Sequence, residues 1–184
     1  PRTWTMEHYL QTATEDIRAS VGDRNVFLLV SGGVDSAVAF VLLNRAMGED
    51  RVLGLHIDNG FMRKQETAIV EELMSEEGLH NLKVVDASDD FLLDTEGIFE
   101  PEEKRKAIGE TFLKVKDRAL ADMDLDPDVY LLGQGTLYPD TIESGGPEHA
   151  GVIKTHHNRI DLIEALIGEG KVVEPLADLY KDEV

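Results

Sequence analysis

A strand, a glycine-rich turn and a helix follow one another directly near the start of the chain. The apolar run at residues 26–30 predicts a buried strand, and the apolar stretch at 37–43 predicts a helix. Between them lies the sequence SGGVDS, residues 31–36. Glycines let the backbone close around an anion, and a helix start offers unbonded N–H groups at the positive end of its dipole. The turn therefore predicts a phosphate cradle in a fold whose strands lead directly into helices.

The turn differs from two common phosphate-binding motifs. It lacks the G-x-x-x-x-G-K-[ST] pattern of a Walker A loop, and no G-x-G-x-x-G follows the strand, which excludes a dinucleotide fingerprint. A plain tight turn, with Ser31 or Asp35 capping the helix, is the alternative. Two hydroxyls and a carboxylate within six residues favour a ligand site, because an aspartate beside phosphates is explained by a Mg²⁺ ion between them.

Strand-like and helical segments alternate along the chain. The patterns predict helices at 5–21, 37–47, 64–77, 100–123 and 160–167, strands at 26–30, 52–57, 82–85, 129–132, 152–153 and 171–173, and the opening of a further helix at 176–184. This alternation predicts an α/β fold with a doubly wound, mostly parallel sheet and helices on both faces. Its ligand site is expected at the carboxyl ends of strands, near a switch in strand order. Three such ends, at 31–36, 58–60 and 133–136, are rich in glycine and polar residues.

Composition excludes several classes of protein. The chain of 184 residues is long enough for one domain with a sizeable core. It has no cysteine, which removes disulfides, thiolate metal sites and cysteine nucleophiles. With no apolar run of membrane-spanning length and no signal-peptide pattern, we expect a cytoplasmic protein without a membrane partner. The net charge of −19 argues against a nucleic-acid partner.

The motifs resemble those of a known family. Residues 31–36 look like the PP-loop of the ATP pyrophosphatase superfamily, whose members split ATP between the α and β phosphates. Five further blocks resemble motifs of GMP synthases, at 58–64, 103–109, 133–144, 153–158 and 181–184. Over nearly its whole length the chain is similar to the ATP pyrophosphatase domain of the glutamine-hydrolysing GMP synthase family. The resemblance implies the PP-loop, adenine nucleotide alpha hydrolase-like version of the α/β fold.

The resemblance also implies an activity and partners. Residues 1–184 would form an ATP pyrophosphatase (synthetase) domain, truncated at its C-terminus, of a ligase in GMP and purine biosynthesis. Such an enzyme adenylates XMP at O2 with ATP and Mg²⁺, releases pyrophosphate, and lets glutamine-derived ammonia displace AMP to give GMP. The family's amidotransferase and C-terminal dimerisation domains are absent from the chain. The implied partners are therefore a glutamine amidotransferase domain or subunit and, through the missing domain, a second copy in a homodimer.

Site residues follow from the matching motifs. The resemblance places the nucleotide against Ser31, Gly32, Gly33, Val34, Asp35, Ser36, Ala37 and Ile57. It implies catalytic roles for Asp35, Lys154 and Asp182, with Mg²⁺ on Asp35 and Asp182. Arg105 would meet the XMP phosphate, because a planar guanidinium gives two parallel hydrogen bonds. Further substrate contacts are implied for Gln134, Thr136, Asp140, Glu143, His156 and His157.

Other functions stay open at this stage. NAD synthetase shares the PP-loop and the use of ammonia, but it does not predict the sequences at 134–140 or 154–158. A sulfur-transferring tRNA enzyme is disfavoured by the absence of cysteine and by the negative charge. A non-catalytic nucleotide-binding module is the alternative from a different class.

Overall fold

The computed structural model describes residues 5–126, 128–135, 169–181 and 183–184. Its helices are α1 (Met6–Val21), α2 (Val34–Met47), α3 (Glu66–Glu76), α4 (Ser88–Asp94) and α5 (Pro101–Met123), with a short 3₁₀ helix at Glu49–Arg51. Its strands are β1 (Asn25–Leu29), β2 (Val52–Asp58), β3 (Leu82–Asp86), β4 (Tyr130–Gly133) and β5 (Val172–Val173). Most of these bounds agree with the predicted segments to within one or two residues.

The described strands form one parallel sheet in the order β3-β2-β1-β4-β5. From β1 the chain first winds outward through β2 and β3, and then crosses back to place β4 on the other side of β1. The strand order therefore reverses between β1 and β4. In open α/β sheets a crevice forms outside the carboxyl ends of the two strands at such a switch point.

Both faces of the sheet are covered. Within β1, Val26 and Leu28 pack with α1, α2 and α3, whereas Phe27 points to the other face and packs with α4 and α5. This alternation follows from the strand period of two. Because apolar side chains leave both faces of β1, helices are needed on both faces to remove them from water. The predicted doubly wound α/β fold is confirmed.

Helix α2 begins earlier than predicted, at Val34 rather than at residue 37. Gly33 is extended, with φ −72° and ψ 153°, and its carbonyl accepts the first helical hydrogen bond from the Ala37 N–H at 3.2 Å. The second half of the predicted cradle is therefore the first turn of the helix.

Helix α4 was not predicted. Its seven residues make two turns, too few for an apolar period to be read in the sequence, and Phe91 is its one buried residue. The packing of Phe91 in the core between the sheet and α5 supplies the stabilisation that local propensity lacks.

The predicted helix at 176–184 is wrong for the described part of that segment. Successive turns occur there instead, in which the N–H groups of Ala177, Leu179 and Glu183 bond to carbonyls three residues earlier. Leu176 and Leu179 are buried in the core that contains α1 and α2, so tertiary packing holds these turns. The predicted strand at 152–153 and helix at 160–167 lie outside the described residues. Among the helices that are described, none combines the length and the apolar character needed to cross a bilayer.

Candidate active site

The turn after β1 is cross-linked by its own hydroxyls. The Ser31 N–H donates to Ser36 Oγ at 3.1 Å, and the Gly33 N–H donates to Ser31 Oγ at 3.3 Å. Ser36 in turn donates its hydroxyl hydrogen to the Gly33 carbonyl at 3.0 Å. Gly32 has φ +88°, a conformation that favours glycine. The two hydroxyls predicted to be phosphate ligands therefore also hold the shape of the turn.

The start of α2 offers backbone donors. Gly33, its N-cap residue, has no side chain that could cap the helix. The N–H groups of Val34, Asp35 and Ser36 precede the first helical hydrogen bond and so have no carbonyl partner within the helix. Together with the helix dipole they form a site suited to an anion.

A cavity of about 350 Å³ lies at the switch point between β1 and β4. The cradle contributes Ser31, Asp35 and Ser36 to its wall, and the end of β4 contributes Gln134 and Gly135. The structure thus brings together two motifs that are about a hundred residues apart in sequence. Of the three strand ends predicted to meet in one crevice, the first and third do so through residues 31–36 and 133–135, whereas Asp58 and Gly60 of the second line a separate cavity.

Glycine at position 135 permits this close approach. A Cβ atom there would lie 3.3 Å from the carbonyl carbon of Asp35 and 3.4 Å from the nitrogen of Ser36. Both are backbone atoms in the first turn of α2, which cannot move aside without moving the cradle. The neighbouring Gln134 is held by its N–H, which donates to the Val173 carbonyl at 2.9 Å.

Asp35 forms an ion pair that the sequence analysis did not assign. Its Oδ1 contacts the ammonium of Lys181, and the side chains of the two residues are 32% and 61% exposed. Lys181 lies in the block 181–184 that carried part of the resemblance, but only Asp182 was selected from that block. The motif itself was the signal that could have identified Lys181.

The segment that carries Lys181 is attached to α1. The Tyr9 hydroxyl donates to the Pro175 carbonyl at 3.2 Å, and Leu176 and Leu179 are buried below it. Burial raises the pKa of Tyr9, and the nearby carboxylates of Asp178 and Glu183 raise it further. The phenol therefore stays neutral and keeps its hydrogen for the Pro175 carbonyl.

A buried histidine lies beneath the cradle. His56 on β2 is fully buried, with Nδ1 2.7 Å from the Val30 carbonyl oxygen and Nε2 3.1 Å from Thr67 Oγ1. The Thr67 hydroxyl donates to Asp58 Oδ2 at 2.7 Å, and Asp58 Oδ1 accepts from the Gly60 N–H at 2.9 Å. His56 was not among the predicted site residues, although a single imidazole in an otherwise apolar strand was a visible signal.

The other predicted residues are distributed as follows. Ala37 is buried in the first turns of α2, and Ile57 is buried near the end of β2. Arg105 is exposed near the start of α5, paired with Glu102, and is not among the residues that line the cavity. Seven predicted residues lie outside the described part of the chain: Thr136, Asp140, Glu143, Lys154, His156, His157 and Asp182.

The described residues fit a metal that arrives with a nucleotide. They contain no group of three or more His, Cys, Asp or Glu side chains that could hold a metal ion by themselves. Asp35 nevertheless presents a carboxylate beside the hydroxyls of Ser31 and Ser36 at a wall of the cavity. Mg²⁺ in nucleotide sites is commonly held by one or two carboxylates together with substrate phosphates, so one carboxylate is compatible with that mode of binding.

Sequence comparison places the chain among known proteins. The family model described as NAD synthase matches residues 6–136. A probable glutamine-hydrolysing GMP synthase of Leptospira interrogans is 49% identical over 184 residues, which cover 100% of this chain and 30% of that protein. A glutamine-hydrolysing GMP synthase of Dictyostelium discoideum is 45% identical, covering 98% of this chain and 27% of that protein. The chain therefore spans less than a third of the length of these relatives.

Structure comparison supports the same fold. The NH3-dependent NAD synthetase of Campylobacter jejuni superposes with a TM-score of 0.62 at 18% identity, over 98% of this chain and 70% of that one. At this level of identity the likeness concerns the fold alone.

Proposed function

The chain belongs to the NAD synthase family of PP-loop ATP pyrophosphatases, and we propose that it is the part of a glutamine-hydrolysing GMP synthase that activates XMP with ATP. The single observation that carries the proposal is the cavity in which residues 31–36 meet residues 133–135. Residues 31–36 resemble the PP-loop of the superfamily, residues 133–135 belong to a block that resembles GMP synthases, and the curated relatives at 45–49% identity carry that name.

The proposed reaction transfers the adenylyl group of ATP to O2 of XMP. O2 attacks the α-phosphorus, the bond to the bridging oxygen of the β-phosphate breaks, and pyrophosphate leaves. Ammonia then adds at C2 and AMP departs, which leaves an amino group in place of O2. Since the departing groups are anions, the main tasks of the protein are positioning and charge stabilisation.

The cradle supports the first of these steps. The free N–H groups of Val34, Asp35 and Ser36 and the dipole of α2 stabilise the negative charge that accumulates on pyrophosphate as it leaves. The hydroxyls of Ser31 and Ser36 lie 3.1 Å apart on the same side of the turn, where their hydrogen bonds to the turn hold its backbone in shape. The donors are in place before the nucleotide binds, so little reorganisation is needed.

Asp35 is the proposed Mg²⁺ ligand, together with Asp182 outside the described residues. A bound Mg²⁺ ion would neutralise phosphate charge and so favour the departure of pyrophosphate. Lys181 holds Oδ1 of Asp35 and places a second cation at the cradle, where it can pair with phosphate oxygens. Its ammonium is a local positive charge in a chain whose net charge of −19 would otherwise repel a polyanionic nucleotide.

The XMP side of the site rests on the motif resemblance. Arg105 is exposed and its partner Glu102 lies on the same surface of α5, so the guanidinium is accessible to a phosphate. An exposed ion pair is weak, and a phosphate can therefore displace the carboxylate at little cost. Gln134 already lines the cavity, whereas the remaining proposed contacts, together with Lys154, lie outside the described residues.

The domain assignment and partners are part of the proposal. Residues 1–184 would act as the ATP pyrophosphatase domain, and ammonia would come from a glutamine amidotransferase domain or subunit. Dimerisation through a further domain is likewise proposed from the family resemblance.

Pyrophosphate release tests the proposal. ATP and Mg²⁺ are incubated with the complete gene product and ammonium, with XMP in one series and nicotinic acid adenine dinucleotide in the other. We expect pyrophosphate and GMP to form only with XMP. Release that depends on nicotinic acid adenine dinucleotide would instead assign NAD synthesis, in line with the name of the matching family model. ATP binding without release in either series would assign a non-catalytic module.

A further inference from the structure

We propose that His56 is a positioning residue for the phosphate cradle, which it holds through the peptide bond that enters the turn. The inference rests on the proposed function in one respect, that the cradle binds the phosphates of ATP. It assigns a role to a residue that lies outside the cavity wall and beneath the cradle.

The peptide group between Val30 and Ser31, at which the chain enters the turn, forms hydrogen bonds through both its carbonyl and its N–H. A carbonyl oxygen only accepts hydrogen bonds, so the contact of 2.7 Å requires His56 to carry a hydrogen on Nδ1 and to donate it to Val30. The N–H on the other side of the same peptide belongs to Ser31, and it donates to Ser36 Oγ at 3.1 Å. Because the peptide unit is planar and trans, fixing the carbonyl direction also fixes the direction of the N–H. His56 thus determines where the first amide of the cradle points.

The imidazole also supports the turn sterically. A Cβ atom on Gly32 would lie 3.4 Å from Cε1 of His56 and 3.1 Å from Cε of Met62. The ring edge and the Met62 methyl therefore form the floor on which Gly32 rests. The same ring therefore lies against Val30 and Gly32, the residues on either side of Ser31 at the start of the cradle.

Other side chains hold the ring in this orientation. Its Nε2 lies 3.1 Å from Thr67 Oγ1 on α3, and Thr67 donates to Asp58 at the end of β2. The Thr67 hydroxyl has a single hydrogen, which it donates to Asp58, so the contact with Nε2 restrains the orientation of the ring and does not select its tautomer. The chain of contacts therefore joins α3 and the end of β2 to the cradle at the end of β1.

Two substitutions by amide side chains test the roles of the two ring nitrogens of His56 separately. In His56→Asn the side-chain amide reaches the position of Nδ1 and can still donate to Val30. In His56→Gln the amide reaches the position of Nε2, so it keeps the Thr67 side and loses the Val30 bond. A lost hydrogen bond to a buried carbonyl corresponds to about a tenfold change in an equilibrium constant. We expect dissociation constants for Mg-ATP and for inorganic pyrophosphate, measured by calorimetry on the chain, to rise about tenfold in His56→Gln and less than about threefold in His56→Asn.

Thr67→Val and Thr95→Val complete the design. Thr67→Val frees Nε2 and should weaken ATP binding about threefold, which keeps the inference testable if His56→Gln fails to fold. Thr95 is buried in a different region, where its hydroxyl donates to the Phe91 carbonyl at 2.7 Å. Thr95→Val should therefore lower the urea midpoint without changing the affinity for ATP. That control separates a general loss of stability from a loss of cradle geometry.

The outcomes distinguish the inference from the proposed function. Equal ATP affinities in His56→Asn and His56→Gln, or wild-type affinity in a folded Thr67→Val, would overturn the inference. Neither result would bear on XMP-dependent release of pyrophosphate by the unmodified protein. Conversely, the expected order of affinities would support the inference even if XMP proved not to be the substrate. A chain that binds neither ATP nor pyrophosphate would overturn both.

Discussion

Replacement of Gly32 by alanine tests whether the cradle depends on the conformation of this one residue. Gly32 has φ +88°, and an L-residue in the left-handed region costs about 1–2 kcal/mol. The smaller entropy of the unfolded alanine chain returns about 0.4–1 kcal/mol. The new methyl would lie 3.1 Å from the end of the flexible Met62 side chain, which can move aside at little cost. We therefore expect the free energy of unfolding to fall by only about 1 kcal/mol.

ATP affinity should change more than stability suggests. The methyl also meets His56 at 3.4 Å, and a small shift of the turn misaligns N–H groups whose bonds to a charged phosphate are worth about 1.5–3 kcal/mol each. Loss of about half of one such bond would weaken Mg-ATP binding about three- to tenfold.

Gly78 provides the matched control for Gly32. It has φ +74°, and no atom lies within 4 Å of the position of an added Cβ. Gly78→Ala should therefore show a similar decrease in urea midpoint and unchanged ATP affinity by calorimetry. The reasoning would be refuted if Gly32→Ala bound ATP within twofold of the unmodified chain, or if Gly78→Ala weakened binding equally.

Three further predictions concern charge. Asp35→Asn should leave the fold intact but raise the Mg²⁺ concentration needed for half-maximal turnover and lower turnover by orders of magnitude. An unchanged dependence of turnover on Mg²⁺ concentration would reject Asp35 as a ligand. Arg105→Lys should raise KM for XMP about tenfold and leave KM for ATP unchanged, because lysine cannot make the bidentate contact; equal effects on both substrates would contradict this role. The hydrogen bond from Thr111, with a smaller contribution from Lys114, lowers the pKa of Asp94 below its ordinary 3.8. A carboxyl group whose pKa is lower in the folded than in the unfolded chain stabilises the fold at pH values above its unfolded-state pKa. This stabilisation is lost as the pH falls through its folded-state pKa. Thr111→Val should therefore have a lower urea midpoint than the unmodified chain at about pH 7, and the difference should shrink below about pH 4. A difference that stays constant down to about pH 2 would show that the Asp94 carboxylate is not involved.

Local features of the sequence were sufficient to predict the unit from β1 through the turn to α2. An apolar run, a pair of glycines and a helical apolar pattern are properties of neighbouring residues, and each favours its structure regardless of the rest of the chain. The alternation of such units then predicted the α/β class and a ligand site at the carboxyl ends of the strands. The boundary of α2 was misplaced because the cradle sequence is also its first helical turn.

The order of the strands was decided by tertiary packing. No local sequence pattern indicates that β4 pairs with β1, yet this pairing places Gln134 and Gly135 at the cradle. One face of β1 packs with its sequence neighbours α1 and α2, but the other packs with α4 and α5, which are distant from β1 in sequence and directly precede β4. Helix α4 likewise depends on the burial of Phe91 rather than on its own propensity.

The contacts beneath and beside the cradle also exist only in three dimensions. Lys181 is 146 residues from Asp35 in the chain, and His56 is 26 residues from Val30. Their residue types were visible in the sequence, but side-chain direction depends on how β2 and the C-terminal segment dock against β1 and α1. The sequence by itself therefore determined which backbone segment can hold a phosphate, because that ability is local. Only the tertiary structure decided which side chains surround that segment, because long-range burial brings them there.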